Sequence, residues 1–177
     1  MIEKADKLIS KYKIPGFYHF TDTRNIDSIR EHGILSQRQL KEKNIDPVAC
    51  GGNDLSRKLA ERMRLDDYVS LCFRSTHPLE FLARQRGDIK GATYLHVAPQ
   101  VLALDGLMFS EGVSNGLSSK IVPIAAALDI IDFEVLYTHT DWATPDIQSR
   151  LQLMERSELL VPKKVPLSFI SFPISNF

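Results

Sequence analysis

An α+β fold is predicted by three observations. Strand-like and helix-like segments alternate without a regular βαβ rhythm, turn residues are spread along the chain rather than gathered into one linker, and 177 residues suit one hydrophobic core. A single domain over 1–177 is expected. Apolar residues at 44% and charged residues at 25% exclude a disordered or fibrous chain.

Residues 17–20 alternate as a strand after Pro15-Gly16, and Thr21, Asp22 and Thr23 offer N-caps for a helix carrying Ile26 and Ile29 and stopping at Gly33. Residues 37–50 have weak periodicity and run into Gly51-Gly52-Asn53, the pattern of a long loop or helical excursion. Asp54 can cap a helix whose Leu55, Leu59 and Met63 fall at i, i+4, i+8, with Arg57, Lys58, Glu61 and Arg62 off that stripe. Residues 68–73 alternate as a strand, Pro78 and Gly87 bracket a helix, and 93–98 and 107–109 are further strands. The apolar stretch 124–137 does not fix its own period, and helix is favoured. Residues 157–161 and 167–173 read as two closing strands.

The apolar runs are too short or too interrupted to span a bilayer: Pro123 breaks one, and Asp132 and Glu134 sit in another. The N-terminus shows no secretory pattern, so a cytoplasmic protein is expected. Twenty-two basic residues balance twenty-two acidic ones, so contact with a polyanion would need a local patch; Arg38, Lys41, Lys43, Arg84, Arg86 and Lys90 are candidates that a solvated face explains equally well. Cys50 and Cys72 lack metal or redox spacing, the five histidines form no ligand pair, and no metal site is expected. Neither phosphate-binding glycine motif is present. Gly112-Val113-Ser114-Asn115-Gly116 imitates a nucleophile elbow, but no amphipathic helix follows it and Asp129 and His139 have no supporting context, so a glycine-rich loop is the better reading.

Two residues stand out. His19 lies between aromatics on a strand, and Glu158 opens an apolar strand where an unpaired charge is costly to bury. A hydrogen-bonded core histidine and a solvated strand-end carboxylate would explain each one separately.

Their surroundings carry a resemblance. Tyr18-His19-Phe20-Thr21-Asp22 with Asn25 and Gly33-Ile34-Leu35-Ser36, then Asp67-Tyr68-Val69-Ser70-Leu71-Cys72-Phe73, then His77-Pro78-Leu79-Glu80-Phe81 follow in order. Phe109-Ser110-Glu111-Gly112 with Asn115 comes next, and Glu158-Leu159-Leu160-Val161 with Val165-Pro166 and Ile170 closes the series. Together they resemble the DarT-type DNA ADP-ribosyltransferase toxins of bacterial toxin–antitoxin systems.

The resemblance implies two facing β-sheets around an NAD cleft with flanking helices. It implies NAD as co-substrate, a base of single-stranded DNA as acceptor and a macrodomain antitoxin as partner. His19 would bind the adenosine-side ribose of NAD with Thr21 and Asn25 beside it, Glu158 would be the catalytic carboxylate, and Arg57, with Arg62 nearby, would match the functional arginine. Phe73 or Phe81 would stack on nicotinamide, and the loop 110–115 and the stretch 142–154 would face the acceptor. Ser110-Glu111 stands where the commoner pattern has Thr-Asp. The Leu71-Cys72-Phe73 and His77-Pro78 segments resemble a guanine-modifying branch, which places guanine slightly ahead of thymine. The competing readings are an ADP-ribosyltransferase acting on RNA or protein and a non-catalytic nucleotide-binding module.

Overall fold

A computed structural model of the protein describes residues 2–49, 54–116, 118–138 and 143–173. Cys50, the Gly51-Gly52-Asn53 turn, His139 and Trp142 lie outside the described residues, as does the Asp54 side chain proposed as a cap. In chain order the helices are α1 (Ile2–Tyr12), α2 (Ile26–His32), α3 (Gln37–Glu42), α4 (Asp54–Arg62), α5 (Pro78–Gln85), α6 (Phe133–Tyr137) and α7 (Pro145–Met154). The strands are β1 (Phe17–Asp22), β2 (Ile34–Leu35), β3 (Tyr68–Cys72), β4 (Ala92–Val97), β5 (Met108–Glu111), β6 (Lys120–Pro123), β7 (Glu158–Pro162), β8 (Lys164–Val165) and β9 (Ile170–Ser171). Among the described residues no helix is long and apolar enough to cross a membrane.

The fold is α+β with two unequal sheets. Seven strands run in the order β6-β5-β7-β3-β1-β4-β9, every pair antiparallel, and β2 pairs with β8 in a separate ribbon. The large sheet has a weak seam. β1 pairs with β4 along its whole length and β3 with β7 along its whole length, yet β1 meets β3 only at Tyr18↔Cys72. The two sheets expected around a cleft thus take the form of two halves, β6-β5-β7-β3 and β1-β4-β9, joined at one point.

Alternation along β3 sets a core face against a cleft face, with Val69 reaching both. Val69 and Leu71, and Phe73 just beyond, are buried in the core, where Phe73 sits among Phe17, Phe109 and Phe133 with ring centroids 5.6, 6.3 and 6.0 Å away. Phe73 is 1% exposed and does not line the cleft, so it cannot stack on nicotinamide as expected. Its aromatic character serves packing.

Several elements differ from the sequence expectation. The charged N-terminus forms α1, because Ala5, Leu8, Ile9 and Tyr12 recur at helical spacing and cover the core, with Tyr12 stacked 5.3 Å from Phe133. In α4 the apolar stripe points outward: Leu55 is 66% and Met63 40% exposed, while Ala60 is buried. The residues 37–50 contain α3, capped by Ser36, before turning irregular. The ambiguous 124–137 stretch divides into a 3-10 turn, Ile124–Asp129, and α6, which Asp132 caps at the Val135 N–H. Residues 167–173 contain only the two-residue strand β9 after a 3-10 turn.

Two punctuation signals work as read. Gly33 ends α2 at φ +80°, and an added Cβ would lie 2.5 Å from the Val165 carbonyl of β8, so glycine is required by both angle and space. Asp22 caps the turn after β1: it is 1% exposed, takes both arms of the Arg24 guanidinium at 2.8 Å, and accepts the Arg24 and Lys90 N–H groups. Arg24 first, then those backbone donors, hold its carboxyl well below the usual carboxylate range.

Candidate active site

A cleft of about 330 Å³ opens at the β1–β3 seam. Its walls include His19 and Thr21 of β1, Ser70 of β3, Arg57 of α4, Ser114 of the β5–β6 connection and Glu158 of β7. Elements scattered along the chain therefore bring the predicted histidine, arginine and glutamate to one cavity.

Glu158 is 5% exposed. As the first residue of β7 it faces Cys72 on β3 and Ser110 on β5 in the strand register. A buried carboxylate needs donors, and these come from the Ser114 backbone N–H at 2.8 Å and the hydroxyls of Ser114 and Ser70. Burial pushes its pKa above the ordinary value and the serine hydrogen bonds oppose that rise. The neighbouring Cys72 thiol is pushed well up by burial and by the carboxylate.

His19 is half-buried, with Nδ1 3.3 Å from the Ser70 carbonyl oxygen. A carbonyl only accepts, so Nδ1 carries the proton; burial lowers the ring's pKa and keeps it neutral, which makes Nε2 an acceptor. Asn25 lines the same cavity but spends its amide on the protein. It donates to Ala49 O at 2.7 Å and Thr21 Oγ1 at 3.2 Å and accepts from the Ala49 N–H at 3.3 Å. Its geometry is that of a wall-builder holding the 44–49 segment, of which Pro47 and Ala49 line the cleft, rather than of a residue offering free donors to a cofactor.

Of the two arginines weighed, Arg57 is half-buried and lines the cleft, whereas Arg62 is exposed and does not. Phe81 is 60% exposed on α5 and is absent from the cleft wall, although Leu79 and Arg86 of that region reach it, so nicotinamide stacking by Phe81 has no geometric support. The basic patches are largely neutralised: Arg38 pairs with Asp66 at 3.0 Å, Lys41 with Glu61, Arg84 with Glu80 at 3.5 Å and Arg86 with Asp88 at 2.8 Å. Among the described residues no group of three His, Cys, Asp or Glu side chains could hold a metal ion.

Sequence reasoning missed Ser70 as a site residue, and it placed Ser114 only within the acceptor-facing loop 110–115, of which Val113, Ser114 and Asn115 line the cleft, and not beside Glu158. Ser70 shares its strand face with Tyr68 and Cys72, both in the cleft wall, a period-two signal already present in the strand. Ser114 sits in the glycine-rich stretch that imitated a nucleophile elbow, and what it supplies is a backbone donor to Glu158.

Behind the cleft, Phe20 stacks on His77, ring centroids 6.1 Å apart. His77 is 4% exposed and caps α5, its Nδ1 accepting the Leu79 N–H at 3.2 Å. Burial lowers its pKa to about 4. An unfolded chain takes up this proton near 6.5 and the folded one resists until about 4, so the stability the neutral ring contributes, about 3 kcal/mol, is lost as pH falls through that window. Thermal unfolding scanned from pH 7 to 4 should show this loss, and His77→Asn, which keeps a capping oxygen but cannot titrate, should flatten the slope.

Comparison with known proteins places the chain in a family. The family described as "DarT: ssDNA thymidine ADP-ribosyltransferase, DarT" matches residues 18–172. The chain belongs to the DarT family. That match runs from β1 through β9 and so includes His19, Arg57 and Glu158. The DarT description names thymidine, whereas residues 71–78 lean toward guanine. No curated protein sequence matches the chain.

Among solved structures, Thermosipho africanus DarTG in complex with ADP-ribose superposes with a TM-score of 0.65 at 20% identity, over 88% of this chain and 42% of that one. The chain thus spans less than half the length of that protein. Thermus sp. 2.9 DarT in complex with ADP-ribosylated ssDNA gives 0.63 at 19% identity, over 89% of this chain and 79% of that one. The same Thermus DarT in complex with NAD+ gives 0.59 at 20% identity, over 90% and 80%. These likenesses establish a shared DarT fold.

Proposed function

We propose that this chain is a single ADP-ribosyltransferase domain that transfers ADP-ribose from NAD to thymidine in single-stranded DNA, with Glu158 as the carboxylate at the reacting ribose. One observation carries the reading: a 5%-exposed glutamate, held by a backbone N–H at 2.8 Å, shares a cleft with an imidazole and a guanidinium from two other elements. The Thermus DarT structures with NAD+, with carba-NAD+ and with ADP-ribosylated ssDNA support the choice of donor and acceptor.

Each group has chemistry that suits its place. In the transfer, the bond between C1′ of the ribose and the nicotinamide nitrogen breaks, its electron pair leaving with nicotinamide. The imide nitrogen of thymine, the only N–H of that base in a nucleoside, forms the new bond to C1′ and gives up its proton. Positive charge builds on the ribose as the first bond lengthens, and a fixed carboxylate stabilises it. Glu158, its pKa raised by burial, is also suited to receive the imide proton. His19 Nε2, an acceptor, suits a ribose hydroxyl on the adenosine side, with Thr21 beside it. The Arg57 guanidinium suits the pyrophosphate, which it can grip bidentately as a lysine could not. An unpaired base avoids the cost of extrusion from a duplex, which favours a single strand as acceptor.

A macrodomain antitoxin that removes the modification is the proposed partner, and the cytoplasm, where NAD and unpaired DNA coexist, the proposed location. Labelled NAD incubated with equal amounts of single-stranded DNA, duplex DNA, RNA and protein tests the reading. Label on thymidine-containing single strands, with nicotinamide release, is expected; label on RNA or protein alone, or none anywhere, would overturn it. Arg57→Ala should raise the KM for NAD by about tenfold or more, the usual effect of losing a charged hydrogen-bond partner, while Arg62→Ala stays within about twofold in steady-state kinetics.

A further inference from the structure

The connection between β5 and β6 touches the site twice. Residues 113–116 form a turn closed by the Gly116 N–H on the Val113 carbonyl at 2.9 Å, with Ser114 at its second position. The Ser119 hydroxyl also donates to the Val113 carbonyl. At the start of the turn the Gly112 N–H donates to Ser157 Oγ at 3.1 Å, which ties it to the residue just before Glu158. Gly112 has φ +77°, a left-handed conformation that bends the chain back from β5. On the far side Asn115 Nδ2 donates to the Ser56 carbonyl of α4 at 3.3 Å. The turn is thus fastened to β7 and to α4, and between those ties the Ser114 N–H points at Glu158 Oε2.

We propose that this turn is a positioning device for the carboxylate, with Ser114 fixing Glu158 through its backbone N–H and Asn115 anchoring the turn on α4. The inference rests on the transferase reading and deepens it by adding residues that act through Glu158. An isolated carboxylate at a strand end can rotate among several rotamers, and one oxygen pinned by a backbone donor restricts that rotation where Glu158 lines the cleft. A backbone donor is the stiffest way to do this, because it has no rotamers of its own. The groups facing the carboxylate from neighbouring elements are Cys72 and Ser70 on β3 and Ser110 on β5, and His19 and Arg57 line the same cleft. The serines are uncharged and the Cys72 thiol is raised well above its ordinary value, so loss of the Ser114 donor should be read out mainly in the titration of Glu158 itself.

Ser114→Pro removes the N–H at a turn position where proline is well accommodated; it also removes the hydroxyl that reaches Glu158, so it is read against Ser114→Ala, which removes the hydroxyl alone. Relative to Ser114→Ala, the expected result is a fall in kcat of roughly ten- to a hundredfold, the size of one lost hydrogen bond to a charged group, with KM for NAD within about threefold. The acid limb of the pH profile should move upward, since a carboxylate that loses a donor is easier to protonate. Asn115→Ala, which leaves the backbone intact, should show a smaller change of the same kind and serves if the proline variant does not fold. Each substitution is repeated in a Glu158→Gln background, where it should cost little further activity. Wild-type kcat and acid limb in both folded variants, or an equal loss with and without Glu158, would overturn the positioning role. A Glu158→Gln enzyme that transfers normally would instead overturn the transferase reading itself, so the two failures are distinguishable.

Discussion

Glu158→Gln should lower ADP-ribose transfer by roughly two to four orders of magnitude while the protein stays folded and still binds NAD. Glutamine has the shape of glutamate, and its carbonyl oxygen can take over the hydrogen bond that the Ser114 N–H now gives Glu158. What it lacks is the negative charge that the reacting ribose calls for and the capacity to receive a proton. Burial already disfavours the charged form of Glu158, so the neutral replacement should not lower the melting temperature and can raise it. Single-turnover transfer with labelled NAD, paired with NAD-induced thermal stabilisation, separates chemistry from binding. Transfer within about threefold of wild type would remove Glu158 from the mechanism; loss of NAD binding together with folding would make it structural.

The residues that could be found in the sequence are those whose chemistry conflicts with their local pattern. Glu158 at the start of an apolar strand and His19 between aromatics are such conflicts, and both end in the cleft. The pairing of the two could not be read from the residues alone, because it depends on β1 and β3 meeting at Tyr18↔Cys72 and then parting, a property of the sheet rather than of either strand. Order along the chain carried that information only through resemblance to a family. The Ser114–Glu158 bond was hidden for a different reason: a backbone N–H has no side-chain signature, and the glycine-rich loop around it was assigned to the acceptor rather than to the carboxylate.

Local periodicity failed where the environment outranked it. On α4 the stripe Leu55, Leu59, Met63 is a sound amphipathic signal, yet the helix turns Ser56, Arg57 and Ala60 to the cleft and leaves Leu55 and Met63 exposed. A helix that lends a serine and an arginine to a cleft can leave its apolar stripe outside. On α1 the opposite happened: charges between the apolar positions disguised a helix whose Ala5 and Leu8 are buried. Strand β6, Lys120–Pro123, lies just before the ambiguous stretch 124–137, and its two apolar residues between a lysine and a proline are too few to show a period.

Phe73→Ala should cost about 3–5 kcal/mol of folding stability, the range for truncating a fully buried phenylalanine. The ring packs edge-on against Phe17 and Phe133 and stacks with Phe109, and it is 1% exposed, so its removal leaves a cavity that four rigid elements cannot close. Phe81→Ala, by contrast, removes a ring that is 60% exposed and should shift stability by no more than about 0.5 kcal/mol. The pair tests core placement against a nicotinamide-stacking role, because the two roles predict opposite readouts. If Phe73 is core, urea unfolding of Phe73→Ala shifts to a much lower midpoint, and the protein that remains folded binds NAD as wild type does. If it were a stacking residue, the midpoint would hardly move and NAD binding would weaken. The seam gives a reason to expect the first outcome: β3 carries Cys72 into the cleft and Phe73 into the core one residue later, so the same short segment must hold both the site's wall and the packing that keeps the two halves of the sheet together.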